Sequence, residues 1–239
     1  KMDEHDLWKD TLVILTADHG FMLGEHKLMA KNYMPAYNEV YHIPLLIHFP
    51  GQAENKRESA LTQNIDLFPT LLEFFGIIVD SCPDTLHGKS LIPMLKGKID
   101  KVREYAIYGM FGKQVNITDG RYTYFRSAVR EDNSPLNIYT AFPTTINHYW
   151  DMEHIHDISE IETGRFLKWT QYPVFRISAS NAILSDVSHR FDVRYEIQAN
   201  NMLFDIEKDY EQMNNICGGA EEKRMCELLK KALYEHDSP

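Results

Sequence analysis

The 239 residues predict an α/β unit followed by a smaller α+β layer, and three features of the chain carry that expectation. Two near-continuous apolar runs occur early, Thr11–Ala17 and Ile43–Phe49. The chain becomes rich in aromatics at alternating positions after Gly97. The last stretch has its apolar residues at helical spacing.

The first run, Leu12-Val13-Ile14-Leu15-Thr16-Ala17, ends at Asp18-His19-Gly20; the second ends at Pro50-Gly51. A short β-branched run bounded by turn residues reads as a strand buried on both faces of a parallel sheet. Between Ile65 and Phe75 the apolar positions 65, 68, 71, 72 and 75 follow a helix, with Pro69 in an early turn and Gly76 at the C′ position. Strand, loop, strand, helix is the order of an open α/β sheet, and buried strands need neighbours, so residues 1–100 are expected to be the remnant of a larger sheet whose first strands lie upstream. The polar start Lys1-Met2-Asp3-Glu4 fits a chain that begins inside a longer protein. Residues 101–239 are expected to form the smaller domain: antiparallel strands within 105–126 and 172–208, and an amphipathic helix over 220–234 showing Met225, Leu228, Leu229 and Leu233 on one side. The segment 131–166, with His148, Trp150, His154 and His156, reads as an insertion that either packs its aromatics on the small domain or forms a lid.

A formal charge of −10 argues against nucleic acid or an anionic membrane as partner, because both demand a basic field. No apolar run approaches the length that spans a bilayer. Cys82, Cys217 and Cys226 are too few for a disulfide framework and contain no CxxC pair. Cys217 and Cys226 could bridge or stay reduced, which leaves the compartment open with a slight lean to the cytoplasm. Asn116-Ile117-Thr118 is a glycosylation sequon inside what reads as a strand.

Chemistry is expected at the carboxyl end of the first strand, where open α/β sheets gather ligands. Asp18 and His19 there offer an oxygen and a nitrogen donor for a divalent cation, and Gly20 permits a sharp turn; a capped turn explains the tripeptide equally well. Lys31 lies where a loop could return an ammonium to an anion, with Lys27 as competitor and a solvated surface lysine as the default. His26 is a candidate hydrogen-bond donor to an oxyanion or leaving group, or a loop histidine satisfied by backbone.

Leu12–Gly20, followed by Gly24-Glu25-His26 and Lys31, resembles the second metal-binding motif of the sulfatase family within the alkaline phosphatase superfamily, and is most similar to the phosphonate monoester hydrolase and choline sulfatase branch. Tyr37-Asn38-Glu39 with Ile43-Pro44-Leu45, Asp66-Leu67-Phe68-Pro69-Thr70, Gly88-Lys89-Ser90-Leu91-Ile92-Pro93-Met94-Leu95, Asp119-Gly120-Arg121-Tyr122 and Leu203-Phe204-Asp205 through Asn215 resemble further segments of that family in order. Asn38, and Tyr210 where proline is common, depart from its pattern. The resemblance implies the C-terminal part of an alkaline phosphatase-like α/β/α sandwich followed by a small α+β domain. It implies Asp18 and His19 as metal ligands, Lys31 and His26 at the anion, and a divalent metal, Ca2+ before Mn2+ or Zn2+. The small-molecule substrate would be a sulfate, phosphonate or phosphate ester, and the nucleophile a cysteine-derived formylglycine. None of the three cysteines stands in a Cys-x-Pro/Ser-x-Arg motif, so the nucleophile is expected upstream, on the N-terminal remainder of the same protein. The alternatives are a phosphonate monoester hydrolase or phosphodiesterase on the same scaffold, or a non-catalytic accessory module. Oligomeric state is left open.

Overall fold

The computed structural model describes residues 1–31, 34–52, 55–77, 86–130, 133, 135–144, 149–150, 155–179 and 200–236. Cys82, His148 and His154 lie outside them.

Strand β1 (Val13–Thr16) leads, through a hairpin of β2 (Met22–Leu23) and β3 (Met29–Ala30) and the single-turn helix α1 (Asn38–Tyr41), to β4 (Leu45–His48). β1 and β4 pair antiparallel, with Leu15 opposite Leu46. This corrects the expectation of parallel strands buried on both faces. Parallel pairing needs a crossover, usually a full helix, and the connection here holds only a short hairpin and a four-residue helix. Leu45 and Ile47 pack on Leu91, Met94 and Val102. The cross-strand partners Leu15 and Leu46 face the other way and are 61% and 58% exposed.

Helix α2 (Leu67–Phe74) starts from a 3-10 turn at Asn64–Asp66, where Gln63 and Asp66 form a reciprocal capping box. Pro69 occupies the first turn, where no intrahelical N–H is required. Gly76 takes φ 69° and closes the helix, with Ile77 N–H donating to Leu72 O at 2.8 Å and Gly76 N–H to Glu73 O at 3.0 Å. Asp66 is fully buried. It accepts from the amides of Gln63 and Lys89, each at 2.8 Å, and from the Arg103 guanidinium, which also reaches the Gln63 side chain. One carboxylate therefore ties α2, the segment before α3 (Ile92–Leu95) and the entry to the second layer. Unlike an exposed ion pair, this one leaves an unmatched buried charge if either partner is lost.

The second layer is an antiparallel sheet of β5 (Ala106–Gly109), β6 (Val115–Thr118), β7 (Tyr122–Arg126) and β11 (Met202–Asp205), in the order β11-β7-β6-β5. Its two faces follow the two-residue period of a strand. Tyr124, Leu203 and Ile117 meet the terminal helix α4 (Ala220–Glu235) through Met225, Leu229 and Ala232. Phe125 and Phe204 on the other face meet Met22, Leu28, Met34, Tyr37 and Val40. The hairpin beyond β1 is thus clamped to the second layer. Met225 is completely buried in the first of these clusters. Met225→Ala is expected to lower stability by about 2–5 kcal/mol, through lost burial and the cavity left behind; chemical denaturation monitored by circular dichroism measures it.

β8 (Asn137–Thr140), β9 (Glu162–Gly164) and β10 (Val174–Ser178) make a separate antiparallel sheet, so the segment 131–166 contributes two strands rather than an irregular loop alone. Asn116 is 1% exposed within β6, a position closed to glycosylation. Cys217 and Cys226 are free thiols. Among the described residues no helix is long and apolar enough to cross a membrane.

Candidate metal and anion site

β1 delivers Asp18-His19-Gly20 at its carboxyl end. Asp18 is largely exposed; its Oδ1 accepts the His19 amide at 2.9 Å. His19 Nδ1 lies 2.8 Å from the Gly20 carbonyl. A carbonyl only accepts, so Nδ1 carries the proton and Nε2 presents a lone pair. That lone pair lies 3.3 Å from Asp18 Oδ2 and 2.6 Å from Lys31 Nζ. Asp18, His19 and Lys31 therefore converge, although Lys31 comes from beyond the hairpin.

The backbone explains the convergence. Gly20 N–H donates to Val40 O at 2.7 Å, and a Cβ on Gly20 would stand 1.8 Å from the Glu39 carbonyl oxygen. Only glycine admits this approach. Beyond it, His26 (φ 51°), Lys27 (φ 58°) and Ala30 (φ 110°) adopt positive φ. Three strained non-glycine residues in five positions mark a loop held by its surroundings, a pattern associated with functional sites. The hold comes from the β2–β3 pairing, from buried Met22 and Leu28, and from Glu25, whose carboxylate accepts the Leu23 amide at 2.6 Å. Its own and the Leu23 backbone N–H keep the Glu25 carboxyl below the usual range.

His26 is placed differently from Lys31. Its ring stacks on Tyr37 at 3.7 Å and 4°, its side chain is only 9% exposed, and its Nε2 faces Glu39 Oε2 at 4.0 Å. Neither atom has a hydrogen-bond partner among the described residues. Its contacts are Tyr37 and Glu39 rather than Asp18, His19 or Lys31. Tyr37 and Glu39 were visible in the sequence only as part of a motif, with no role attached. Burial, and then Glu39, raises the Tyr37 phenol above its ordinary range. Asn38, the departure from the family pattern, is a fastening: its N–H donates to Gln212 Oε1 at 2.7 Å and its Nδ2 to Tyr210 O at 2.8 Å, while Gln212 Nε2 donates to Thr123.

The donor set suits a divalent cation. Two lone-pair atoms 3.3 Å apart repel unless a positive charge faces both, and the Lys31 ammonium supplies one beside His19. The Nδ1–H to carbonyl bond orients the imidazole as metal-bound histidines are oriented. Among the described residues no group of three or more His, Cys, Asp or Glu could hold a metal ion.

Residues 1–77 match the family model described as Sulfatase. Among curated relatives, the multifunctional alkaline phosphatase superfamily protein PehA of Trinickia caryophylli is 40% identical over 97 residues, covering 39% of this chain and 18% of that protein. Choline-sulfatase of Rhizobium meliloti is 28% identical over 195 residues, covering 71% of this chain and 37% of that enzyme. The chain thus spans well under half the length of either relative. The solved phosphonate monoester hydrolase of Agrobacterium radiobacter superposes with a TM-score of 0.56 over 98% of this chain and 37% of its own, at 19% identity, which speaks for the fold. Residues 1–77 thus resemble the sulfatase family in sequence, and nearly the whole chain shares the fold of a solved phosphonate monoester hydrolase.

Proposed function

We propose that this chain is the C-terminal part of a metal-dependent hydrolase of sulfuric esters, supplying two metal ligands and one anion-binding cation. The observation that carries the reading is the convergence of Asp18 Oδ2, His19 Nε2 and Lys31 Nζ at the end of β1. Asp18 and His19 would hold the metal, Ca2+ by preference, which when bound supplies Lewis-acid stabilisation of negative charge. Lys31 would bind the sulfate oxygens and offset charge that develops on the transferring group. With a cation on His19 Nε2, the ammonium is repelled from that nitrogen and freed toward the anion. The His26–Glu39 pair, stacked under Tyr37, supports the loop that carries Lys31 rather than touching the ester. The nucleophile and the remaining ligands would come from the N-terminal remainder of the protein.

Two ligands make a weak hard-cation site, since calcium usually takes six or more oxygens. Titration of the 239-residue chain with Mn2+ is therefore expected to show weak binding, with paramagnetic NMR broadening first at residues 18–20 and 31. Broadening centred elsewhere, with His19 untouched, would overturn the assignment. A second reading, a phosphonate or phosphate ester as substrate, follows from the resemblance of the β1 motif to the phosphonate monoester hydrolase branch. Paired aryl sulfate and aryl phosphonate assays on a polypeptide that includes the nucleophile segment separate the two.

A further inference from the structure

The end of α4 and the segment before α3 border a cavity of about 510 Å³, within the size range of small-molecule sites. His87, Lys89, Arg103, Tyr105, Glu235 and His236 line it, and none of Asp18, His19, His26 or Lys31 does. Its carboxylates are already matched. Glu235 accepts from the Tyr105 hydroxyl and faces Lys231 Nζ at 3.5 Å, and Glu104 pairs with Lys101. Its cations keep unused hydrogen-bond donors. Arg103 binds Gln63 and Asp66 through its terminal nitrogens, while its Nε is buried with no hydrogen-bond partner, on a side chain only 8% exposed. Lys89 Nζ makes a long 3.3 Å bond to Val102 O. His87 Nδ1 and His236 Nδ1 face each other at 3.3 Å and share one proton between them, since two N–H groups cannot point at one another.

We propose that this cavity is a binding site for a small oxyanion, recognised by Lys89, Arg103 and the facing imidazoles of His87 and His236. A buried guanidinium N–H with no partner, an ammonium bound only to a carbonyl and two imidazoles around one space offer unused donors to an oxyanion, while Asp66 balances the Arg103 charge. Burial, then His87, Arg103 and Lys89 push the His236 imidazole below the ordinary range against the opposing pull of Glu235. His236 therefore takes up a proton less readily than a free imidazole. An anion held beside this imidazole favours its protonated form, so binding takes up a proton and tightens as pH falls.

Sulfate is the probe, because its charge is constant over the pH range used. Titrating the 239-residue chain with sodium sulfate, while following His87 and His236 imidazole resonances by NMR, is expected to shift both. Affinity should rise about fivefold or more from pH 7.5 to about pH 5.5. Lys89→Met is expected to weaken binding about tenfold, and His236→Gln to flatten the pH dependence while the amide spectrum stays folded. Lys31→Ala, which alters the site at β1, should leave these shifts in place. Three outcomes overturn the proposal: no imidazole shift with sulfate, a pH-independent affinity, or shifts that vanish in Lys31→Ala and persist in Lys89→Met. None of them bears on the metal assignment of Asp18 and His19.

Discussion

Lys31→Ala is expected to cut the turnover of an aryl sulfate by about 10²- to 10³-fold, in a polypeptide that joins this chain to its nucleophile segment. The ammonium lies 2.6 Å from His19 Nε2 and is the one cation the structure brings to the Asp18–His19 pair among the described residues. Removing a donor aimed at developing negative charge costs roughly 3 kcal/mol of transition-state stabilisation in comparable sites. The same substitution removes a like charge from beside the proposed metal ligands, so Mn2+ should bind no more weakly than to the unaltered protein. His19→Ala should weaken both. Kinetic assays together with metal titration of the two variants give this split, and turnover of Lys31→Ala within twofold of the parent would remove Lys31 from the site.

Gly20→Ala is expected to be the most damaging small substitution in the first layer. The new methyl would stand 1.8 Å from Glu39 O, 2.9 Å from Glu39 C and 3.2 Å from Val40 Cα, all of them backbone atoms that no side-chain rotation can move aside. The turn must shift, weakening the 2.7 Å bond from Gly20 N–H to Val40 O. A cost of about 3 kcal/mol or more follows from overpacking, which lowers Tm by about 6–12 °C in a chain of this size. Because the same turn orients His19, Mn2+ binding should fall as well. Gly219→Ala, where an added methyl meets nothing within 4 Å, is the control and should leave both properties nearly unchanged. Differential scanning calorimetry decides it; a Tm for Gly20→Ala equal to that of the control would refute the steric argument.

Local chemistry was legible in the sequence to the extent that it is local. The two-residue alternation of Tyr122–Arg126 and the helical spacing of Met225 and Leu229 announce β7 and α4, and Gly76 announces the end of α2. The direction of β1 against β4 was not legible. A continuous apolar run records that a strand is covered but not which way its partner runs, and here Leu15 and Leu46 are more than half exposed. In the candidate site, the position of Asp18-His19-Gly20 at a strand end could be read from the strand itself. The place of His26 could not: it depends on left-handed backbone at His26 and Lys27, conformations those residue types do not signal, and on Tyr37 arriving from past the hairpin. Gln212 as a fastening for Asn38 spans 174 residues and leaves no local pattern.

The Asp66–Arg103 contact has a consequence for anyone dividing the gene. A break near residue 100, where composition changes and an engineer would place a domain boundary, would part a fully enclosed carboxylate from its guanidinium. The shorter product would have to protonate that acid or flood its surroundings with water, at a penalty of several kcal/mol. The two layers are therefore one unit of expression, and a truncation series should step over Arg103 rather than stop before it.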